Sequence, residues 1–218
     1  MFLSDEDFMA RANRHLYQTP EEVQDKGEPI LNPDVQNLHD SLREAVVLFS
    51  IIERRDGLTT LLNLRPKHLK NHGGQIGFPG GKVEAQDDGP MSTLHREAME
   101  EIGLPSENIA SLGYLDAYIT STGFRVVPIV AKVTPPASFI LDANEVEAAF
   151  EVPFSFLMNS ENHTHDFINS NGKPRFYYEI PYKDGKNDWR IWGVTAGIIR
   201  LLYETLYPEF SIQRTYER

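Results

Sequence analysis

Three carboxylates, Glu97, Glu100 and Glu101, crowd into the run Ser92 to Ile102, whose pattern predicts a helix. At about 100° per residue they share one arc of the helical wheel. Leu94, His95, Ala98, Met99 and Ile102 take the other side. Such a helix buries one face and gathers negative charge on the opposite one. Close like charges destabilise a helix by roughly 0.2–0.5 kcal/mol per pair. A divalent cation would turn that repulsion into coordination. Donors that are all oxygen select hard ions, Mg²⁺ first and Mn²⁺ or Ca²⁺ next. Arg96 precedes Glu100 by one helical turn and can brace it. A solvated acidic face is the alternative. Such faces usually alternate Glu with Lys, and no Lys lies between Met91 and Leu104.

Just upstream, Gly73, Gly74, Gly77, Gly80 and Gly81 punctuate a loop ending in Phe78-Pro79-Gly80-Gly81. Successive backbone N–H groups in such loops can hold phosphate oxygens; taken alone, the same residues also read as tight turns. The loop is not a Walker loop, because Ile76 stands where its first Gly belongs and Val83 follows Lys82. Before it, Arg65, Lys67, Lys70 and His72 form a basic patch that could contact phosphates or be an exposed turn. Further on, Glu145, Glu147 and Glu151 stand on a second acidic segment. His163 and His165 have a metal-like spacing inside a polar stretch. Phe176, Tyr177, Tyr178, Trp189 and Trp192 could stack an adenine or pack a sheet.

The elements that must position these residues are short. Ser4 to Leu16 predicts a capped helix with Phe8, Ala12 and Leu16 on one face. Residues 17–40 read as a polar connection. The apolar run Ala45 to Ile52 marks a strand buried on both faces. Asp56-Gly57 turns it into a second strand, Leu58 to Leu64. Gly103 and Pro105 stop the acidic helix. Leu112 to Ile119 and Val126 to Val133 read as strands, Asn144 to Phe150 as a short helix, and Asn159 to Pro174 as a loop. Arg175 to Tyr182 and Asp188 to Trp192 predict a hairpin, and Gly193 to Leu206 a closing helix. This order implies an α/β fold, a mixed sheet flanked by helices. The domain reading is 1–40 as an N-terminal helical extension, 41–208 as the main domain and 209–218 as a tail.

The chain of 218 residues has no cysteine, which excludes disulfides, thiolate zinc sites and cysteine nucleophiles. Its net charge of -11 argues against long nucleic acids as partners. An acidic start and the lack of a long apolar run point to a cytoplasmic protein without a membrane span.

Loop and helix together resemble the signature of Nudix hydrolases, with Arg96 to Leu104 matching R-E-x-x-E-E-x-G-hydrophobic at every fixed position. From Gly81 to Arg96 the chain is one residue longer than the common spacing, so Asp87 and Asp88 both compete for the spaced acid. Upstream, Leu61-Leu62, Arg65, Leu69, His72, Gly74 and Phe78 to Gly81 are similar to the coenzyme A pyrophosphatase branch, with Lys70 where Arg is more usual. The resemblance implies an α/β/α sandwich and hydrolysis of a diphosphate linked to another group. For coenzyme A the products would be 3′,5′-ADP and 4′-phosphopantetheine. It implies Mg²⁺ or Mn²⁺ on Glu97, Glu100, Glu101 and the Gly81 carbonyl. Arg96 would assist catalysis, with Glu101, or Glu145 or Glu147 on the later acidic segment, as the base, and Arg65, Lys70, His72, Gly80 and Gly81 would meet the substrate. A homodimer is compatible with it. The alternatives are a pyrophosphatase for ADP-ribose, dinucleotides or nucleoside triphosphates, and a non-catalytic regulator that keeps the fold.

Overall fold

The computed structural model describes residues 4–37, 41–69, 72–136, 138–170 and 172–210. Five helices are seen among them: α1 (Asp5–His15), α2 (Glu28–Leu31), α3 (Pro90–Ile102), α4 (Phe154–Leu157) and α5 (Val194–Leu206). The strands run from β1 (Asp25–Gly27), β2 (Arg43–Arg54) and β3 (Gly57–Leu64) to β4 (Ile76–Gly77) and β5 (Gly80–Lys82). Then come β6 (Ile109–Tyr114), β7 (Ala117–Ile119), β8 (Phe124–Val133) and β9 (Ala148–Pro153). Last are β10 (Thr164–Ser170), β11 (Lys173–Lys183) and β12 (Asp188–Trp192).

β1 to β9 make one mixed sheet, and β10 to β12 a separate antiparallel one. β2 is the axis. It runs parallel to β8 over Arg43–Ile52 and antiparallel to β3 and β5. Its alternating side chains feed two apolar layers. Ala45, Phe49 and Ile51 join α1, α4 and α5 on one side. Val46, Leu48 and Ile52 join Leu94, Ala98 and Ile102 of α3 on the other. This is the α/β/α sandwich with a mixed sheet, built on a strand buried on both faces.

The sequence-based elements need four corrections. Residues 17–40 are more than a connection: β1 adds a parallel edge to β7, and α2 follows it. Asn32 docks that segment onto β11, since its side-chain amide donates to Phe176 O at 2.9 Å and accepts the Phe176 N–H at 2.9 Å. The stretch 112–119 is two strands. Both pair with β8, and the break faces Pro128, which has no N–H to offer the ladder. Residues 144–150 form a turn and then β9, because β3 there takes β9 as its neighbour from Thr59↔Pro153 to Leu64↔Ala148. Pairing between distant segments overrides the local helical pattern. Finally, residues 159–174 contain β10, which pairs with β11. Its side chains are exposed on both faces almost throughout, so no alternation advertised it.

Candidate active site

Helix α3 begins at Pro90 and ends at Gly103, whose left-handed backbone (φ 62°) returns its N–H to the last turn. It lies against β2 through Leu94, Ala98 and Ile102. The helical wheel needs one correction. Met99 is 56% exposed, whereas Glu101 is only 2% exposed. The reason is angular: Glu101 stands about 20° from Leu94 on the wheel, at the edge of the buried arc. Met99 lies at the far edge of its arc and faces solvent.

Glu101 is therefore a buried carboxyl. Its Oε2 accepts the Gly80 N–H at 3.0 Å and the Asn63 Nδ2–H at 3.3 Å. Arg65 Nη1 stands 3.7 Å from its Oε1. Burial pushes the carboxyl up to about 7, the Gly80 N–H and Arg65 pull against that, and the charges of Glu97 and Glu145 add to it. Glu97 is half-buried and is also pushed up by burial; Arg96 opposes this, and Glu100 and Glu145 reinforce it.

Arg96 is the organiser of the acidic face. Its Nη1 donates to Glu97 at 2.8 Å and to Glu100 at 3.1 Å. Its Nη2 donates to the Lys82 carbonyl at 3.0 Å. The same guanidinium grips Asp87 through Nε at 3.1 Å and Nη2 at 3.0 Å. Asp87 also accepts from Thr93 Oγ1 at 2.9 Å and the Glu84 N–H at 2.9 Å. Its bond to Arg96 holds the carboxyl far below the usual range, with the Glu84 N–H adding to the effect. Asp88 is exposed. Asp87 is thus the spaced acid, and its pairing contributes stability at neutral pH that is lost only as pH falls well into acid. Replacing Asp87 with Asn lowers the melting temperature and, because Arg96 loses its anchor, cuts turnover about 10–100-fold. Asp88→Asn changes neither. Thermal melts and steady-state rates on both variants check this.

Around this face the other expected residues sort themselves. Gly80 and Gly81 lie on β5, opposite Val47 and Val46 of β2. Glu145 sits in an exposed turn that the Asp142 N–H bonds to Glu101 O, close enough to raise both Glu97 and Glu101. Glu151 is spent elsewhere, on Arg54 and Thr59 at the other end of β3. His163 is buried against Tyr203 with its Nε2 on Leu157 O at 2.6 Å, so it is a packing residue and not half of a metal pair. Lys70 lies outside the described residues.

Arg65 also lines a neighbouring cleft of about 330 Å³. His72, Gln75 and Gly77 form one wall, and Phe176, Tyr177 and Trp192 of the small sheet another. His72 has a positive φ of 59° and holds Gln75 through Nδ1 at 2.8 Å. Thr195, also in the wall, ties α5 to β4 by donating to Ile76 O at 2.8 Å. Glu28 of α2 closes the cleft beside Ser121 and Arg175. Burial pushes the Glu28 carboxyl up, against hydrogen bonds from the side chain and backbone of Ser121 and the charge of Arg175. Sequence reasoning missed Glu28, Asn63 and Arg175. For Asn63 a signal existed: it is a lone polar residue within the apolar strand LLNL.

The donors on this face are oxygens only, and the charge of Glu97 raises the Glu101 carboxyl while Glu100 and Glu145 raise Glu97, a repulsion that a hard cation relieves. By donor type they suit such an ion. Glu97 and Glu100 are turned onto Arg96 and Glu101 onto Gly80. Accordingly, among the described residues no three His, Asp or Glu side chains already surround one point.

The family model of the NUDIX domain matches residues 41–166, more than half of the chain and all of this acidic face. The chain belongs to the Nudix hydrolases. A relative of Citrobacter koseri, the uncharacterized Nudix hydrolase NudL, is 34% identical over 79% of this chain and 88% of its own. NudL of Yersinia enterocolitica is 38% identical over 72% of this chain and 78% of its own. Nudix hydrolase 22, chloroplastic, of Arabidopsis thaliana is 33% identical over 79% of this chain, which spans 59% of the plant protein. Nudix chemistry is hydrolysis at a diphosphate. Among the described residues no helix is long and apolar enough to cross a membrane.

Proposed function

We propose that this Nudix hydrolase cleaves the diphosphate of coenzyme A or its derivatives into 3′,5′-ADP and 4′-phosphopantetheine. The observation that carries this reading is the approach of Arg65 to Glu101. It joins the upstream segment resembling the coenzyme A branch to the acidic helix at one place. The oxygens of Glu97, Glu100, Glu101 and the Gly81 carbonyl would hold Mg²⁺ or Mn²⁺, which when bound neutralises diphosphate charge, polarises phosphorus and helps ionise water.

The chain's own residues do the rest. Arg65 balances substrate charge beside the buried acid, and His72 borders the cleft on the same side. Arg96 keeps Glu97 and Glu100 in place. In the hydrolysis a water oxygen bonds to phosphorus as the bridging P–O bond breaks. One proton leaves the water, and the departing phosphate carries off the negative charge. Glu101 is the first candidate for the base that takes that proton, a buried carboxyl where Arg65 meets the acidic helix. Glu145 is the second candidate, from the turn bonded to the Glu101 carbonyl.

A turnover assay with Mg²⁺ or Mn²⁺ tests the reading, offering coenzyme A beside ADP-ribose and NADH. Coenzyme A is expected to give the highest kcat/KM. Efficient cleavage of ADP-ribose with coenzyme A untouched would refute the substrate. No cleavage of any of the three would favour a regulator.

A further inference from the structure

We propose that the cleft beside Arg65 takes the adenine base of the nucleotide half of the substrate, and that Glu28 selects it by accepting a hydrogen bond from the exocyclic amine. This rests on the reading that the substrate is a nucleotide diphosphate, and it assigns a specificity residue to a segment outside residues 41–166.

Size comes first. A volume of about 330 Å³ is at the low end for ligand pockets. It has room for a base and part of its sugar, but not for a whole dinucleotide. Position comes second. Arg65 borders both the cleft and Glu101, so a base in the cleft leaves its phosphates on the acidic helix.

Chemistry comes third. Tyr177 and Trp192 supply aromatic surface, the kind on which a flat base stacks. The backbone of Phe176, next to Tyr177 on β11, is fastened to Asn32 through both its N–H and its carbonyl, and its ring lies tilted against Phe167 at 5.9 Å. Tyr177 and Trp192 meet edge to face at 5.3 Å, which fixes their relative angle. Arg175 is committed to Asp34 at 2.7 Å. Glu28 is the one carboxylate among the described residues that line the cleft. A carboxylate has about four acceptor sites, and the bonds from Ser121 leave acceptor capacity for a ligand. It suits an amine that donates. It repels the carbonyl oxygen that hypoxanthine carries at the same position.

Calorimetry with AMP and IMP on the whole chain, in chelator, reads this without turnover, because the two ligands differ only along that edge of the base, where IMP carries an oxygen for the amine and an N1–H for the N1 acceptor; purine riboside 5′-monophosphate isolates the amine. The wild type is expected to bind AMP at least about tenfold tighter than IMP, the effect of one buried hydrogen bond replaced by repulsion. Glu28→Gln, which can present either an acceptor or a donor, should bring the ratio close to one. Purine riboside 5′-monophosphate, which lacks the amine, should bind the wild type at least about fivefold weaker than AMP. Equal binding of AMP and IMP, equal binding of AMP and the purine analogue, or binding of none of the three overturns the proposal. A full AMP preference in a folded Glu28→Gln overturns the role of Glu28. Should coenzyme A resist cleavage while AMP is still preferred, the proposed substrate fails and the base site stands. Should coenzyme A be cleaved while no base is preferred, the substrate stands and the base site fails.

Discussion

Glu101→Gln should all but abolish turnover and, in the metal-free protein at pH 8, make the fold more stable. Both effects follow from one buried carboxyl. If it holds or moves the proton of the attacking water, its loss costs on the order of 10²–10⁴ in kcat. The stability effect has the opposite sign. Folding raises the Glu101 carboxyl from 4.5 to about 7. Below the unfolded value both states are protonated and burial is free of this cost. Between 4.5 and 7 the unfolded chain ionises this acid while the folded protein keeps it protonated, so stability falls as pH rises towards 7 and levels off above it. Above 7 the loss amounts to about 3 kcal/mol.

Glutamine keeps an oxygen for the Gly80 N–H and carries no charge. Chelated wild type should therefore lose melting temperature between pH 4.5 and 7, and the variant should not. At pH 8 the variant melts several degrees higher, whereas near pH 4 the two coincide. Melts across that range and rates with Mg²⁺ or Mn²⁺ give both readings. Full activity in the variant removes Glu101 from the chemistry. A parallel pH dependence of the two melts removes the buried charge as the cause.

The trade between stability and chemistry also explains which parts of this molecule are legible in its sequence. Arg96 to Glu101 could be read because Nudix chemistry needs those residue types at fixed helical spacing. β2, β3 and β8 could be read because each buries enough side chains to leave an apolar run. β1, β9 and β10 could not. β1 and β9 owe their strand character to partners far away in the chain, β7 and β3, while β10 pairs with its neighbour β11 but is exposed on both faces and shows no alternation. Asp87 and Asp88 are indistinguishable by count, and only the reach of Arg96 separates them. Glu28 is hardest of all. A single carboxylate between Gly27 and Pro29 carries no pattern, and its place in the cleft depends on the docking of Asn32 144 residues away in sequence from Phe176. The wheel itself sets Glu101 about 20° from Leu94, so its burial is legible there, but grouping it with Glu97 and Glu100 as one acidic face hides it.

Gly80→Ala and Gly81→Ala should fail in different ways, although the two glycines are neighbours on one strand. Gly80 has φ 144°, a conformation that side chains rarely adopt, and a Cβ there would overlap the backbone of β2, with Val47 Cα at 2.7 Å. β2 is the axis of the sheet and cannot withdraw. Gly80→Ala should lose about 3 kcal/mol or more of stability. Gly81 has an ordinary φ, and a Cβ there would meet the Glu97 carboxylate, with Oε2 at 2.7 Å. A side chain can swing where a strand cannot. Gly81→Ala should therefore stay folded, with a melting temperature near that of the wild type. Its cost falls on function: Glu97 is driven from its place between Arg96 and the glycine strand, and a displacement of about 1 Å at a reacting centre can cost 10²-fold in rate. Mn²⁺ affinity, measured by calorimetry, should fall along with kcat. A Gly81→Ala protein that is folded, fully active and binds Mn²⁺ as the wild type does would mean that Glu97 needs no fixed position, and the acidic face would lose its claim to the ion.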